Sequence, residues 1–439
     1  GDEDDWHFIS AFGECISLRN ITIPEGVTYI GGYAFYKCTS LSDILIPESV
    51  TQIGYSVFNG CSNLTSVIIP NRVESIGEGA FNGCSSLRSI LVDNDNANFT
   101  SIDGVLFNKA CTALIAYPAR KSGTAYQIPE GVTSIGDSAF ESCSNLASVT
   151  IPKGVTSIGN DAFWGCNGLT SVIIPEGVER LSYGIFKNCS KLKDVMIPDS
   201  VVSIDAQAFY GCSSLANLEI PKNVASIEQR AFYGCSNLES ITIPNGVISI
   251  ELETFYDCIG LKSVVIPDSV NSIGALAFYG CKGLTNVRLP DNVTNIRDQA
   301  FYGCSALTSI KIPAGVTRIS YQAFDGCSGL TSITIPEGVT SIGWASFADC
   351  SNLTSVIIPE GVTSLDKFAF SSCSSLTYVV IPASMVNIGD NAFYYCKQLK
   401  KVYYNSSKAE WIKIQIGDDN YELLKANLYC NLTETPSTE

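Results

Sequence analysis

The sequence predicts an α/β repeat solenoid of about 17 repeats, and a fixed period of 23 residues carries this prediction. One copy of the repeated phrase is Leu169–Lys191. Cysteines keep the spacing over Cys15–Cys84 and Cys143–Cys396, and prolines keep it over Pro24–Pro70 and Pro129–Pro382. A period of this length is typical of stacked units, each of which buries its apolar face only against its neighbours.

The first half of each repeat predicts a short strand. In the copy above, Leu169, Val172 and Ile174 alternate so that their side chains face one side, the core. Pro175 ends the strand, since proline cannot extend a parallel ladder. The dipeptide Glu176-Gly177 then predicts a turn.

The second half of each repeat returns the chain to the start of the next strand. Val178 and Leu181 form a second short apolar segment, and Ile185-Phe186 is expected in a short helical turn that Cys189 closes. Stacked strands lie about 4.8 Å apart, so each Leu, Phe and Cys should rest on its counterpart in the next repeat. The regular strands are predicted to begin at Leu18, Leu41, Leu64, Leu87 and then every 23 residues from Leu146 to Leu399.

Composition and charge argue against several classes of protein. The 439 residues are 46% apolar and only 16% charged, with a net charge of -16. An acidic chain lacks the cations that neutralise phosphates, so we expect no nucleic-acid partner. No stretch approaches the roughly 20 apolar residues of a transmembrane helix, so we expect no membrane insertion. His7 is the only histidine, which argues against histidine-based catalysis or zinc binding.

The full repeat reads Leu-x-x-Val-x-Ile-Pro-x-x-Val-x-x-Ile-Gly-x-x-Ala-Phe-x-x-Cys and resembles the BspA-like (treponemal-type) leucine-rich repeats. The resemblance extends from Phe12 to about Tyr404. It implies a right-handed, curved superhelix with a parallel β-sheet on its concave face. It also implies a secreted or surface protein of a host-associated microbe, in a family implicated in adhesion to host proteins and to other microbes.

The repeat breaks in two places. Residues 93–128 predict two enlarged repeats, in which Asp103-Gly104 between apolar runs indicates a hairpin that bulges from one face. This segment is either a tolerated variant or a lateral contact site. We assign residues 1–399 to the solenoid, 400–430 to a C-terminal cap with strands near 411–416 and 423–429, and 431–439 to a polar tail.

The 18 cysteines admit disulfide, metal or free-thiol interpretations. All but Cys111 and Cys430 keep the repeat spacing, and no C-x-x-C pair occurs. Side chains that run parallel in successive repeats would hold their Cβ atoms about 5 Å apart, outside the 3.5–4.5 Å typical of disulfides. The spacing therefore favours a buried ladder of free thiols that pack as small apolar groups.

The run Asp93-Asn94-Asp95-Asn96 places oxygen ligands close together. It could hold calcium, but it lacks the glycine and the distal glutamate of an EF-hand loop. Turn formation by Asp and Asn side chains is the favoured interpretation, and we expect no metal and no cofactor.

The fifth position of each predicted strand points away from the core, and we call this set the sheet row. It contains Thr22, Leu45, Ile68, Leu91, Thr150, Ile173, Met196, Glu219, Thr242, Val265, Arg288, Lys311, Thr334, Ile357, Val380 and Tyr403. Apolar members cluster near both ends, with Glu219, Arg288 and Lys311 between them; Ile173 and Met196 are also candidate contact residues. An exposed apolar row could bind a partner; alternatively, β-branched residues simply favour strands.

The residue after each repeat phenylalanine forms a second row, which we call the tyrosine row. Five consecutive repeats carry tyrosine there: Tyr210, Tyr233, Tyr256, Tyr279 and Tyr302. Stacked about 5 Å apart, they would form an aromatic stripe, and tyrosine is enriched at interfaces. The alternative is that these rings only pad the surface of the solenoid.

Together these features favour a non-enzymatic binding scaffold. We expect a monomer that binds a protein or glycan, located at the cell surface or secreted, with its signal peptide removed. The alternative is a structural spacer that displays another domain. The sequence gives no sign of a convergent cleft with a nucleophile–base pair, which argues against an enzyme.

Overall fold

The computed structural model describes residues 10–431. His7 and almost all of the predicted polar tail lie outside these residues. The chain divides into two compact units, unit 1 (1–213) and unit 2 (214–439). Each is a parallel β-solenoid, and together they hold about 17 turns of roughly 23 residues, which confirms the predicted fold class.

The predicted strands pair in parallel sheets of two to four strands, and we call the set of these sheets in each unit its long-strand ladder. In unit 1 its strands are Ser66–Ile69, Ser89–Val92, Ala125–Gln127, Ser148–Thr150, Ser171–Ile173 and Asp194–Met196. In unit 2 they are Ser240–Thr242, Ser263–Val265, Asn286–Val287, Ser355–Ile357, Tyr378–Ile381, Lys401–Tyr404 and Asn427–Cys430. Single bridges such as Lys311 with Thr334 continue the ladder where it is too irregular for full strands.

The second apolar segment of each repeat is also a strand. These short strands pair in several separate sheets, and we call the set in each unit its short-strand ladder. In unit 1 its strands are Tyr29–Ile30, Gln52–Ile53, Ser75–Ile76, Ala113–Ala116, Ser134–Ile135, Ser157–Ile158, Arg180–Leu181 and Ser203–Ile204. In unit 2 they are Ser226–Ile227, Ser249–Ile250, Ser272–Ile273, Asn295–Ile296, Arg318–Ile319, Ser341–Ile342, Ser364–Leu365, Asn387–Ile388 and Gln415–Ile416.

Residues that pair between neighbouring strands lie 23 positions apart in the sequence wherever the repeat is regular. Ser171 pairs with Asp194, and Ser249 pairs with Ser272, each 23 residues on. Because a slip of one residue would turn every apolar side chain outward, burial of one face holds this register.

The predicted helical turn before each cysteine is wrong, because the segment is built from hydrogen-bonded turns. Asp161 and Gly165, which flank Phe163, have φ values of 52° and 71°. These left-handed conformations interrupt a right-handed helix. Among the described residues, only Lys408–Trp411 and Tyr421–Lys425 are helices. Neither is long and apolar enough to cross a membrane.

Columns of identical side chains fill the core of each unit. In unit 2, stacked phenylalanine rings run from Phe232 to Phe393 with neighbouring centroids 5.2–5.6 Å apart. Beside them, column cysteines donate their thiol hydrogens to phenylalanine carbonyls of the preceding repeat, as from Cys281 to Phe255 at 3.0 Å. This donation needs the protonated thiol, and burial also raises the thiol pKa, as at Cys61, to about 12.

The hairpin predicted at Asp103-Gly104 is present, with strands Phe99–Ile102 and Val105–Asn108 paired antiparallel. It does not bulge from one face, however. Val105, Leu106 and Phe107 are fully buried, and the carbonyl of Gly104 accepts a bond of 2.8 Å from the amide of Ile90. The three successive apolar residues draw the hairpin into the core of unit 1.

The C-terminal cap differs from the predicted pair of strands near 411–416 and 423–429. Trp411 ends the first helix, and only Gln415–Ile416 is a strand there. The second helix precedes Asn427–Cys430, the last strand of the long-strand ladder. Leu423 of that helix is buried and covers the end of the core.

Candidate functional site

Four members of the tyrosine row stack face to face in unit 2. Ring centroids lie 4.5 Å apart from Tyr233 to Tyr256, 4.5 Å from Tyr256 to Tyr279 and 4.6 Å from Tyr279 to Tyr302. The ring planes differ by only 3–4°. All four side chains are half-buried. We call these four residues the tyrosine stack.

The stack forms because the core phenylalanines fix its spacing. Each tyrosine directly follows a buried member of the phenylalanine column, for example Phe278 before Tyr279. The residue after each tyrosine adopts a left-handed conformation, which glycine accepts readily, as at Gly280 and Gly303 with φ near 68° and 69°. Successive rings therefore have no alternative to parallel contact.

Tyr210 lies in unit 1, beside Lys187. The Nζ of Lys187 lies 5.5 Å from the ring centroids of both Trp164 and Tyr210, within the range of cation–π attraction. In unit 1, the tyrosine row therefore lies beside a lysine ammonium group that contacts two aromatic rings.

Burial raises the pKa of two hydroxyls of the stack. Desolvation, followed by the nearby Tyr279, Asp257 and Tyr233, raises the pKa of Tyr256 to about 12. Burial, followed by Asp325, also raises the pKa of Tyr302. These two phenols can therefore both donate and accept a hydrogen bond at neutral pH.

Unit 2 contains a second aromatic cluster that the sequence reasoning missed. Tyr321 stacks on Trp344 at 5.0 Å, and Trp344 makes an edge contact with Phe368 at 5.5 Å. Tyr321 and Trp344 stand three residues before their column phenylalanines, but Phe368 stands two before, so no single repeat position reveals the cluster. The signal available was the presence of large aromatic residues in the same turn of three successive repeats.

The sheet row is exposed over most of its length. Leu45 and Met196 are 72% and 64% exposed, and Ile173 is also exposed. Val380 is completely buried, and Ile357 and Tyr403 are half-buried. The register partner of Val380 is Tyr403, whose ring makes an edge contact with Tyr378, so bulky rings flank this position.

The charged members of the sheet row are exposed, and the cations are paired. Arg288 contacts Asp268 and Lys311 contacts Asp291, each at 3.2 Å. Both aspartates follow the proline of the preceding repeat. Glu219 is exposed. The pairing leaves this part of the face without a concentrated positive charge.

The cysteines and the Asp93 run show no metal-binding geometry. All 18 cysteines are free, and no group of three potential ligands that could hold a metal occurs within residues 10–431. Oδ1 of Asp93 accepts a bond of 2.9 Å from the amide of Asp95, and Asn96 is buried against the carbonyl of Pro70. These contacts are those of a turn.

A family model and a solved structure both match this chain to leucine-rich repeat proteins. The model of the BspA type leucine rich repeat region matches residues 9–122, 117–238, 180–308 and 295–414. A leucine-rich repeat protein from Bacteroides ovatus ATCC 8483 is 28% identical, with a TM-score of 0.56 over 94% of this chain and 91% of that chain. A leucine rich cell surface protein from Faecalibacterium prausnitzii A2-165 is also 28% identical, with a TM-score of 0.46 over 91% of this chain and 90% of that chain. No curated protein matches the chain.

Proposed function

Because this chain belongs to the BspA-type leucine-rich repeat proteins, we propose that it is a non-enzymatic scaffold, secreted or on the cell surface, that adheres by binding another protein. The tyrosine stack of unit 2 is the observation that carries the proposal. It offers four rigid side chains in a straight row on a surface that the repeat holds in place. Tyrosine supplies large contact area at low entropic cost, which suits protein interfaces.

The geometry of the stack favours a protein over a glycan. A sugar ring packs its apolar side on an open aromatic face. Within the stack the inner faces cover one another at 4.5–4.6 Å, so ring edges and hydroxyls remain for a partner. A row of neutral phenols with a repeat near 4.5 Å suits hydrogen bonds to backbone and polar side chains of a protein.

Binding of the purified chain to host matrix proteins, mucins and glycans on one array tests the proposal. The decisive variant replaces Tyr233, Tyr256, Tyr279 and Tyr302 by serine. The matched control is Tyr394→Ser, because Tyr394 has the same repeat position in unit 2 but is not part of the stack. Circular dichroism checks that both variants stay folded.

We expect saturable binding to one protein, weakened at least about 100-fold in the fourfold variant, as for loss of several interface anchors. The Tyr394→Ser control should bind like the parent chain. Unchanged affinity of a folded fourfold variant would exclude the stack as the contact surface. Binding only to glycans would contradict the partner class.

A further inference from the structure

The insertion at residues 93–128 interrupts a hydrogen-bond pattern that the repeats otherwise maintain in unit 1. In a regular turn, three amides donate to carbonyls of the next repeat. These bonds are Ser56 to Glu78 at 2.9 Å, Phe58 to Ala80 at 2.9 Å and Gly60 to Asn82 at 2.8 Å. The corresponding amides one repeat later belong to Gly79, Phe81 and Gly83. None of these three amides has a hydrogen-bond acceptor in the described part of the chain.

The phenylalanine column is interrupted at the same point. Phe81 stacks on Phe58 at 5.9 Å, and Tyr117 stacks on Phe140 at 5.1 Å. The structure contains no stacking contact between Phe81 and Tyr117. Phe81 is only half-buried, whereas Phe58 and Phe140 are fully buried. One face of the Phe81 ring is therefore open.

A cavity of about 370 Å³ occupies the gap. Its lining includes Phe81, Asn82, Tyr117, Asp137 and Glu141. Oε2 of Glu141 is buried and lacks a hydrogen-bond partner among residues 10–431. The volume falls in the range of roughly 300–1,000 Å³ that small-ligand pockets occupy. The gap thus combines an apolar ring face, a row of amide donors and a buried acceptor.

At the C-terminal end of unit 2, the chain itself supplies the hydrogen-bond acceptors that an absent repeat would have supplied. There the amide of Phe393, the counterpart of Phe81, donates to Oδ1 of Asn420 at 3.0 Å. The amide of Asn391 donates to the carbonyl of Asp418 at 2.8 Å. Buried backbone donors are almost always paired in folded proteins. Gly79, Phe81 and Gly83 are only half-buried, so their unpaired amides remain accessible to a partner that supplies acceptors.

We propose that the gap beside Phe81 binds a peptide loop of a partner protein, and that the loop carries an aromatic side chain. The loop takes the place of the missing repeat: its carbonyls accept from Gly79, Phe81 and Gly83, and its ring stacks on Phe81. A backbone or side-chain donor of the loop reaches Glu141. The acidic groups Asp137 and Glu141 favour a loop with a basic residue beside its aromatic one. This site is separate from the tyrosine stack and does not depend on the function proposed for that stack.

Hydrogen exchange of the full chain, followed by mass spectrometry, tests the proposal without any variant. In the free chain, amides of segment 77–84 should exchange at least about tenfold faster than those of segment 54–61, where the partners are present. The probe is a cyclic peptide, Gly-Ala-Leu-Ala-Phe-Lys-Gly-Ser, which copies residues 274–281 with lysine in place of Tyr279 and serine in place of Cys281. The control peptide has serine in place of phenylalanine.

We expect the probe at about 1 mM, enough to half-fill a site of millimolar affinity, to slow exchange in segment 77–84 but not in 54–61. The control peptide should give no protection. Phe81→Ala should weaken the affinity for the probe by about tenfold and Glu141→Gln by about threefold. Tyr394→Ser in unit 2 should leave this affinity unchanged. Absence of protection by the probe, or equal protection by both peptides, would overturn the proposal. Protection by mucin oligosaccharides instead would overturn the assignment of a peptide.

Discussion

The amide of Phe393 donates a hydrogen bond of 3.0 Å to the side-chain oxygen of Asn420. Elsewhere in unit 2 the same amide position bonds to the next repeat, as from Phe370 to the carbonyl of Ala392 at 2.8 Å. Asn420 also donates from Nδ2 to the carbonyls of Gly389 and Gly417, each at 2.9 Å. One buried side chain thus reproduces the contacts of an absent repeat.

Replacing Asn420 by alanine should destabilise unit 2. The change leaves the buried amide of Phe393 without an acceptor and removes the bonds from Nδ2 to the carbonyls of Gly389 and Gly417, so the free energy of unfolding should fall by about 2–3 kcal/mol. Urea unfolding followed by circular dichroism measures this loss. Asn427→Ala is the control, because Asn427 is exposed in the last strand and should change stability by less than about 0.5 kcal/mol. Equal midpoints for the two variants would show that Asn420 does not cap the stack.

Leu238→Asp should disrupt the stack of unit 2. Leu238 is completely buried, and an aspartate there would place an uncompensated charge in a core that neighbouring repeats build together. We expect the free energy of unfolding to fall by more than about 4 kcal/mol, or the variant to fail to fold. Glu239→Gln is the neighbouring control, since it removes only the exposed ion pair of 3.0 Å with Lys262. A thermal melt of Leu238→Asp that matches the parent would refute the register described above.

Stability should rise as the pH falls from 8 to 5.5. Burial raises the pKa of Glu141 to about 7 and that of Asp325 to about 6. Between pH 5 and 7 the folded chain therefore holds protons that the unfolded chain has released, so raising the pH favours unfolding. The contribution of Glu141 is on the order of 2 kcal/mol.

Thermal melts at pH 5.5 and 8 check this prediction in the parent chain and in Glu141→Gln. The variant cannot ionise at this position, so it should melt higher than the parent at pH 8 and show a smaller difference between the two pH values. The prediction fails if the parent melts at the same temperature at both pH values, or if the variant retains the full pH dependence.

Thiol reactivity should divide the cysteines into two classes. All 18 are free, and the column members from Cys38 to Cys396 are buried hydrogen-bond donors. Cys15 is exposed, and Cys111 and Cys430 are partly exposed. A brief treatment of the native chain with an alkylating reagent should modify these three first, while denaturant should expose all 18. Peptide mapping identifies the modified residues, and mixed disulfides among column members would contradict the assignment.

The sequence period was sufficient to predict the stacking, because each apolar residue had an identical neighbour one period away. It was not sufficient for the turns. Asp161 and Gly165 take left-handed conformations at positions that many residue types occupy, so composition does not reveal them. The second ladder was missed as a ladder because its strands are mostly two residues long, too short for a period-2 pattern.

Of the two candidate sites, one could be predicted from the sequence and the other could not. The tyrosine row followed directly from spacing, and its close stacking in unit 2 bears out that geometry; a role in binding remains a proposal. The gap beside Phe81 could not be foreseen, since its main feature is a set of backbone amides without partners, and backbone groups are the same in every residue. Only the path of the inserted hairpin shows which amides lose their acceptors.

Every regular repeat makes the same hydrogen bonds with the repeat before it as with the repeat after it, because paired residues lie 23 positions apart. A gene duplication or deletion that moves one whole repeat would therefore leave no unsatisfied group at the junction, whereas any other length would. Lineages of this protein should accordingly differ in length by whole repeats outside the Phe99–Asn108 hairpin and the cap at Asn420. Recombination between near-identical repeats would lengthen or shorten the tyrosine stack in steps of a single ring.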